Sequence, residues 1–163
     1  MINGSENVVK GELGTAAFKD EFPRIIARQG ADAAITSGNN SDLVFAAIDN
    51  ASATGSFVQD DATNYSFDDP SDVLIETAGI YRLDVSVYLT SIGNNAVATV
   101  SLRKNGSDIA VAIRSKSSNA TSMVSFYWAE KLAAQDVISV NVAMDTAGAT
   151  ITAGSALEVR KIA

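Results

Sequence analysis

A cluster of oxygen-bearing side chains is the part of the chain best suited to chemistry. It consists of Asp60, Asp61, Asn64, Asp68, Asp69 and Asp72. Carboxylate and amide oxygens are the ligands that Ca²⁺ prefers, roughly six to eight at a time. The spacing lacks the sixth-position glycine and the terminal glutamate of an EF-hand loop. Because aspartate and asparagine are also common turn residues, turns explain the cluster without a metal. Calcium binding by Asp60, Asp61, Asp68 and Asp69 is the alternative.

Catalytic residues of the usual kinds are missing from the 163-residue chain, which contains no histidine and no cysteine. Ser-His-Asp and Cys-His catalysis, disulfides and thiolate zinc sites are therefore excluded. No Gly-x-Ser-x-Gly motif and no phosphate-binding glycine loop occurs. A carboxylate pair could hydrolyse a glycosidic bond, but aromatic residues make up only 7% of the chain and leave no evident sugar-stacking cleft. We expect a protein that is not an enzyme and has no cofactor.

The charge of the chain limits its partners. The formal net charge is -7, so the protein has no long-range attraction to nucleic acid or to an anionic membrane. The N-terminus has neither the basic nor the apolar region of a signal peptide, and no window approaches the roughly 20 apolar residues of a membrane helix. We therefore expect synthesis in a host cytoplasm, with no nucleic-acid partner and no membrane partner.

Alternating apolar residues predict many strands. Apolar side chains occupy every second position from Tyr81 to Leu89, which is the period of a strand with one buried face. Further strands are expected around Ala98–Leu102 and in the segments that follow. Asn105-Gly106 is the preferred pair for a two-residue hairpin turn. Some eight antiparallel strands with spaced turns indicate a sandwich or a barrel.

One predicted strand, Met123–Ala129, is apolar on both of its faces. Val124, Phe126 and Trp128 lie on one face, and Met123 and Tyr127 lie on the other. A strand of a two-layer sandwich should be polar outside, so its outer face must be covered as well. The N-terminal segment could cover it, but we favour a subunit interface. The predicted interface residues are Ile80, Tyr88, Met123 and Tyr127.

Several short motifs, each weak alone, follow one another along the chain. They are Tyr65–Asp68, which ends in Phe-Asp, Gly79-Ile80-Tyr81 at the start of a long predicted strand, Val100–Gly106, which ends in Asn-Gly, and Leu132–Ile138. In this order they resemble the Tyr/Phe-Asp segment, the Gly-x-Tyr opening of a central strand, the Asn-Gly hairpin and the Leu-x-x-Gly-Asp-x-Val segment of the jelly-roll family of C1q heads and tumour-necrosis-factor ligands. The match departs from the family at Leu83 in place of an aromatic residue, at Gln135 in place of glycine, and at Ser155–Leu157 in place of Phe-x-Gly.

The resemblance covers about residues 43–162 and implies an all-β antiparallel jelly-roll sandwich that assembles as a homotrimer. Members of this family are binding heads or structural knobs rather than enzymes. We accordingly divide the chain into an N-terminal arm, residues 1–40, and a jelly-roll domain, residues 41–163.

The arm is predicted to contain one helix within residues 20–30. Asp20 suits the N-cap, Arg28 the last turn and Gly30 the C-terminal cap. The helix could dock on its own domain, or it could grip a neighbouring subunit or a host structure. For the second case the predicted contact residues are Phe18, Phe22, Ile25 and Ile26.

The architecture suggests a virion protein. A trimeric head with a short arm suits a bacteriophage capsid decoration (cement) protein, because icosahedral shells offer local three-fold sites and three arms add avidity. The expected partner is the major capsid protein, the expected location is the capsid surface, and the expected action is to stabilise the shell. The alternative is the receptor-binding head of a phage head or tail fibre, which would recognise a host glycan or protein.

Overall fold

The chain forms an all-β structure of paired antiparallel strands. The computed structural model describes residues 24–35, 40–44, 65–66, 71–93, 96–115, 120–145 and 148–163. The strands within these ranges are β1 (Arg24–Arg28), β2 (Ala33–Ala34), β3 (Asn40–Asp42), β4 (Tyr65–Ser66), β5 (Asp72–Ile75), β6 (Gly79–Ile92), β7 (Val97–Lys104), β8 (Ser107–Ser115), β9 (Ala120–Leu132), β10 (Val137–Met144), β11 (Thr150–Ile151) and β12 (Ala156–Lys161).

Two sheets of six strands contain all of these elements. In the front sheet, β6 pairs with β9 along one side and with β12 and then β11 along the other, while β1 pairs with β12 and β2 with β11. In the back sheet the order is β4-β5-β10-β7-β8, and β3 also pairs with β10. Strands distant in sequence are therefore neighbours, which confirms the predicted antiparallel jelly roll.

The core lies between the sheets and follows from the period of two. In β6, Tyr81, Leu83, Val85, Val87 and Leu89 are all buried, as their alternation predicts. The same alternation occurs in β12, whereas β10, in the middle of the back sheet, is buried at five consecutive positions. Full burial of one such aliphatic side chain stabilises the fold by about 1.5–3 kcal/mol, so this alternation fixes which face of each strand turns inward.

The predicted helix in the arm is wrong where the structure describes it. Residues 24–28 form strand β1, in which Ile25 and Ala27 are buried and pair with Val159 and Leu157 of β12. The segment satisfies a period of two as well as the helical spacing, and pairing with an edge of the sheet decides between them. Residues 20–23 lie outside the described ranges. No helix occurs in the described part of the chain, and so none there is long and apolar enough to cross a membrane.

The division at residue 40 remains a prediction. Strands β1 and β2 belong to the front sheet, and Gln29 ties this part of the arm to residues beyond the division. The Gln29 side chain is buried; its Nε2 donates to the Ala31 carbonyl, and its Oε1 accepts from Val44 N at 2.8 Å. Residues 24–35 are therefore packed as part of the domain.

The Gly-x-Tyr motif has a steric basis. A Cβ at Gly79 would lie 2.5 Å from the Ala163 carbonyl oxygen and 2.6 Å from Lys161 Cε. Any larger residue would displace the C-terminal segment, whose Ala163 carbonyl accepts a hydrogen bond from Ile80 N. Two residues on, Tyr81 is fully buried and its hydroxyl donates to the Thr77 carbonyl. The motif thus joins the start of β6 to the end of the chain.

Two tight turns complete the motifs. Asn105 and Gly106 have φ values of 51° and 77° and join β7 to β8, as a two-residue hairpin turn requires, so the predicted hairpin is confirmed. Gln135, at the family's glycine position, has a φ of 72°. This left-handed conformation is one that glycine adopts without strain, which explains why glycine is favoured there.

Candidate interaction surface

The four predicted interface residues all lie on the outer face of the front sheet. Ile80 and Tyr88 belong to β6 and are 43% and 38% exposed, while Met123 and Tyr127 belong to β9 and are 48% and 67% exposed. Tyr88 and Met123 are direct cross-strand partners, close enough for their side chains to interact. Ile80 lies eight residues from Tyr88 along β6, about 27 Å away. The residues share one face, but charged side chains separate them.

Two ion pairs occupy the centre of this face, and sequence reasoning missed them. Arg82 donates from Nε and Nη2 to the Asp84 carboxylate at 2.8 Å, and Arg160 Nη2 donates to Glu158 Oε1 at 2.6 Å. The register sets Arg82 beside Arg160 and Asp84 beside Glu158. We call these four residues the charge square. The available signal was a pair of oppositely charged residues two apart on each strand, because such residues share a face.

The charge square is joined to the apolar residues by Tyr127. Arg82 Cζ lies 4.9 Å from the centroid of the Tyr127 ring, within cation–π range. The hydrogen bond and the charge of Asp84 raise the pKa of Arg82 above its usual value. Aromatic rings and arginine are the side chains most enriched at binding hot spots. The front face thus combines both.

A depression of about 200 Å³ lies beside the charge square. We call it the front depression. It is lined by Ile26, Arg28, Asp84, Ser86, Tyr88, Gly154, Ala156 and Glu158. The register places Arg28, Ala156 and Ser86 in one row across the three strands, and Ile26, Glu158 and Asp84 in the next row. Sequence reasoning could not find it, because its lining comes from β1, β6 and β12 and from the residues just before β12.

The predicted arm contacts divide between core and surface. Ile25 is fully buried between the sheets, so its side chain is part of the core and is withdrawn as a contact residue. Ile26 points the other way and lines the front depression. Phe18 and Phe22 lie outside the described residues. So do the calcium candidates Asp60, Asp61, Asp68 and Asp69, whose metal binding remains a prediction.

A second apolar surface lies on the edge of the sandwich where β9 is the outermost strand of the front sheet. Trp128 is 40% exposed, and its indole Nε1 donates to Glu130 Oε2 at 3.0 Å. Glu130 Oε1 accepts from Lys104 Nζ of β7 at 3.3 Å. We call these three residues the Trp128 edge. The hydrogen bonds hold the indole in place and link the two sheets.

The described residues offer little for catalysis. Nowhere in the described ranges do three histidine, cysteine, aspartate or glutamate side chains meet in an arrangement that could hold a metal ion. The acids of the front face are paired with arginines. What the face can do chemically is bind: it offers aromatic rings, aliphatic side chains and fixed charges.

Comparisons with known proteins bear on the fold. No protein-family model and no curated protein matches the chain. Solved structures do match the chain. Murine APRIL at pH 8.0 is similar over 87% of this chain and 100% of its own, with a TM-score of 0.63 and 16% identity. The chain has a tumour-necrosis-factor-like jelly-roll fold. Eiger TNF from S. frugiperda is similar over 87% of this chain and 92% of its own, with a TM-score of 0.58 and 10% identity.

The fold explains why the sequence motifs are weak but ordered. At 10–16% identity, the likeness to these proteins is one of fold. In this chain, the motif positions Gly79, Asn105-Gly106 and Gln135 each have a close contact or a positive φ that constrains the residue there. The likeness therefore concerns the fold of this chain and leaves its partner to be inferred from its surface.

Proposed function

We propose that the protein is a homotrimeric, non-enzymatic structural protein that assembles through the outer face of the front sheet. The observation that carries the proposal is that Ile80, Tyr88, Met123 and Tyr127 are exposed on strands whose other faces form the core. Exposed apolar and aromatic side chains around a charged centre are typical of a binding surface. The jelly-roll fold supports a trimer, because the C1q and tumour-necrosis-factor-like family that the sequence resembles assembles in this way.

We further propose that the trimer is a bacteriophage capsid decoration protein, located on the virion and bound to the major capsid protein. A trimer matches the local three-fold positions of an icosahedral shell. The N-terminal arm is the proposed anchor, through residues before Arg24 that include Phe18 and Phe22. Three arms acting together can raise the apparent affinity by about 10²–10⁴-fold over one arm, so each individual contact can be weak.

Removing residues 1–23 tests the anchor, because this deletion leaves β1 in place. The shortened protein should remain a folded trimer but should no longer sediment with empty shells assembled from the major capsid protein of the same source. The double variant Phe18→Asp, Phe22→Asp should behave in the same way, and Lys19→Ala is the matched control that should still bind.

Two results would count against the capsid role. Shells that still bind the shortened protein would refute the anchor. Adsorption of the full-length protein to host cells, with no binding to shells, would replace the capsid role by the receptor-binding head.

A further inference from the structure

Strand β8 forms one edge of the back sheet. Within the ranges that the structure describes, it pairs with β7 and with no other strand. Its nine residues, Ser107–Ser115, have a second side along which backbone N–H and C=O groups can pair with a further strand. At the opposite edge of the same sheet, β4 is only two residues long. β8 is therefore the edge of the back sheet that is long enough to accept a strand.

The middle of β8 lacks the residues by which proteins usually protect an edge. Such residues are proline and charged side chains, lysine above all, and Ile109–Ile113 contains neither. The register with β7 shifts at Ile109, near one end of the strand, but Ala110–Ser115 pairs regularly with β7. Val111 and Ile113 are 50% and 67% exposed. The regular part of this edge thus presents aliphatic side chains to solvent.

The sequence of β8 reads almost the same in both directions. It is Ser-Asp-Ile-Ala-Val-Ala-Ile-Arg-Ser, and only Asp108 and Arg114 break the palindrome. If two β8 strands pair antiparallel about Val111, each apolar residue faces its own type: valine faces valine, alanine faces alanine, and Ile109 faces Ile113. At the one exception Asp108 faces Arg114, so opposite charges meet twice and like charges nowhere. A second copy of β8 is therefore complementary to this edge in both apolar residues and charge.

The charges select one register. A shift by two residues sets Arg114 opposite Ala110 in one direction, or Asp108 opposite Ala112 in the other, so only pairing about Val111 matches the charges. Asp108 already accepts hydrogen bonds from Arg103 and Ser101 of its own copy. Its side chain is 45% exposed, and a carboxylate can accept about four hydrogen bonds. The apolar residues therefore supply most of the attraction, and the charges decide the alignment.

We propose that β8 pairs antiparallel with β8 of a second copy, with Val111 on the two-fold axis. The two back sheets then continue into each other, and Val111 and Ile113 of each copy lie beside aliphatic residues of the other. A contact in which the same strand serves both copies closes with two. It cannot belong to a three-fold ring, and so it joins two of the proposed trimers. Single chains can pair in the same way, so the contact does not depend on the trimer.

The small size of this contact sets the concentration at which it forms. Each copy contributes the nine residues of β8, whereas a standard stable interface involves about 20–30 residues a side. We expect a dissociation constant of about 0.1–1 mM. At micromolar concentration the particle should contain three chains, and its mass should rise toward six chains as the concentration approaches about 1 mM.

Cysteine cross-linking tests the two-fold axis directly, because the chain has no cysteine of its own. A residue on the axis faces itself, with Cβ atoms about 4.5–5.5 Å apart, near the separation that a disulfide needs. Under mild oxidation of the concentrated full-length protein, Val111→Cys should therefore form a covalent dimer at least about 10-fold faster than Ile113→Cys. Ile113 is the matched control, because it is more exposed than Val111 but faces Ile109. Equal rates would show random collision and would overturn the contact.

Two charge variants test the same axis without a covalent bond. Val111→Asp and Val111→Lys each place like charges opposite one another, so neither protein alone should exceed three chains in sedimentation at about 1 mM. An equal mixture of the two should recover the step toward six chains, because opposite charges then face each other.

The outcomes separate this contact from the proposed trimer. A wild-type protein that stays at three chains up to about 1 mM, or a mixture of the two variants that shows no recovery, would overturn the β8 contact and leave the trimer standing. A wild-type protein that changes only from one chain to two would support the β8 contact and refute the trimer.

Discussion

The outer faces of the two sheets differ in how their side chains are satisfied. On the back sheet, β3, β7, β8 and β10 carry polar side chains that bond to one another: Asn141 Nδ2 donates to Asp42 Oδ1 at 2.8 Å, and Asp108 accepts from both Ser101 and Arg103. Beside this network, Val111 and Ile113 of β8 are 50% and 67% exposed. On the front sheet, Tyr88, Met123 and Tyr127 project outward around the charge square. A polar network that is internally complete needs no partner, whereas an apolar face gains stability by acquiring one.

This contrast separates residues that fold the chain from residues that assemble it. Asn141 and Ser101 are buried although they lie on an outer face, so changes there should act on the stability of each subunit. Met123 and Val111 are exposed to nearly the same extent, 48% and 50%, but lie on β9 of the front sheet and β8 of the back sheet respectively. A charged substitution at Met123 should weaken assembly of the trimer, and the same substitution at the other residue should not. Both substitutions should leave the stability of the subunit nearly unchanged.

The largest expected effect comes from placing a charge on the front face. Met123→Asp should raise the dissociation constant of the trimer by at least about 100-fold, because an unpaired buried carboxylate costs several kcal/mol. Its subunit should unfold at nearly the same temperature as before. Analytical ultracentrifugation across a concentration series measures the effect, with Val111→Asp as the matched control. If the two substitutions raised the dissociation constant equally, the two faces would not differ in their role in assembly.

A change within the back-sheet network should act on folding alone. Asn141→Ala removes the hydrogen bond to Asp42, whose carboxylate is exposed and can bond to water instead, so the expected cost is about 0.5–1.5 kcal/mol. The free energy of unfolding, measured by urea denaturation at a concentration where the protein has dissociated, should fall by that amount. The association constant should remain unchanged, and a loss of assembly comparable to that of Met123→Asp would contradict the division of roles.

Protonation of Asp136, in the turn between β9 and β10, should make the stability of the folded subunit depend on pH. Partial burial alone would raise the pKa of Asp136, but hydrogen bonds from Ala133 N and Asn105 Nδ2, together with the Lys104 charge, lower it. A lowered folded-state pKa means that the stabilisation is present above the unfolded value of about 3.9 and is lost as the pH falls through the folded value.

Asp136→Asn should therefore reduce stability near neutral pH by about 0.5–1 kcal/mol and flatten its decline in acid below about pH 4. Thermal unfolding followed from pH 7 to pH 2 measures this. An unchanged acid profile in the variant would show that other carboxylates control the transition.

The smallest expected effect is a gain in the stability of the subunit. Gln135→Gly relieves a left-handed backbone conformation, φ 72°, at a solvent-exposed turn. Strain relief and the greater freedom of glycine in the unfolded chain oppose each other, and we expect a net gain of about 0.5 kcal/mol. A rise in the unfolding temperature with no change in association would agree, while a loss of stability would show that the Gln135 side chain contributes contacts of its own.

Much of the fold was predictable, because the period of two is a local property. The alternation in β6 and the Asn105-Gly106 pair each specify a strand or a turn within a few residues. The arm was not predictable in the same way. Ile25 and Ala27 fit a strand as well as the helix suggested by the flanking caps, and only pairing with β12, far along the chain, decides between them.

The candidate surface was predictable in part for the same reason. The outward residues of β9 show from composition alone that its outer face is apolar, because all of them lie within one strand. The charge square and the front depression need the register between β6 and β12, which brings Asp84 beside Glu158 across more than 70 positions of sequence. No local pattern encodes that pairing.

The native mass of the purified full-length protein, measured by light scattering at micromolar concentration, tests the central claim most directly. Assembly through the front face predicts a particle of three chains of 17.0 kDa each, and Met123→Asp should reduce it to one. A wild-type protein that remains a single 17.0 kDa chain at all concentrations would contradict the claim, because Tyr88, Met123 and Tyr127 would then face solvent without a second copy to cover them.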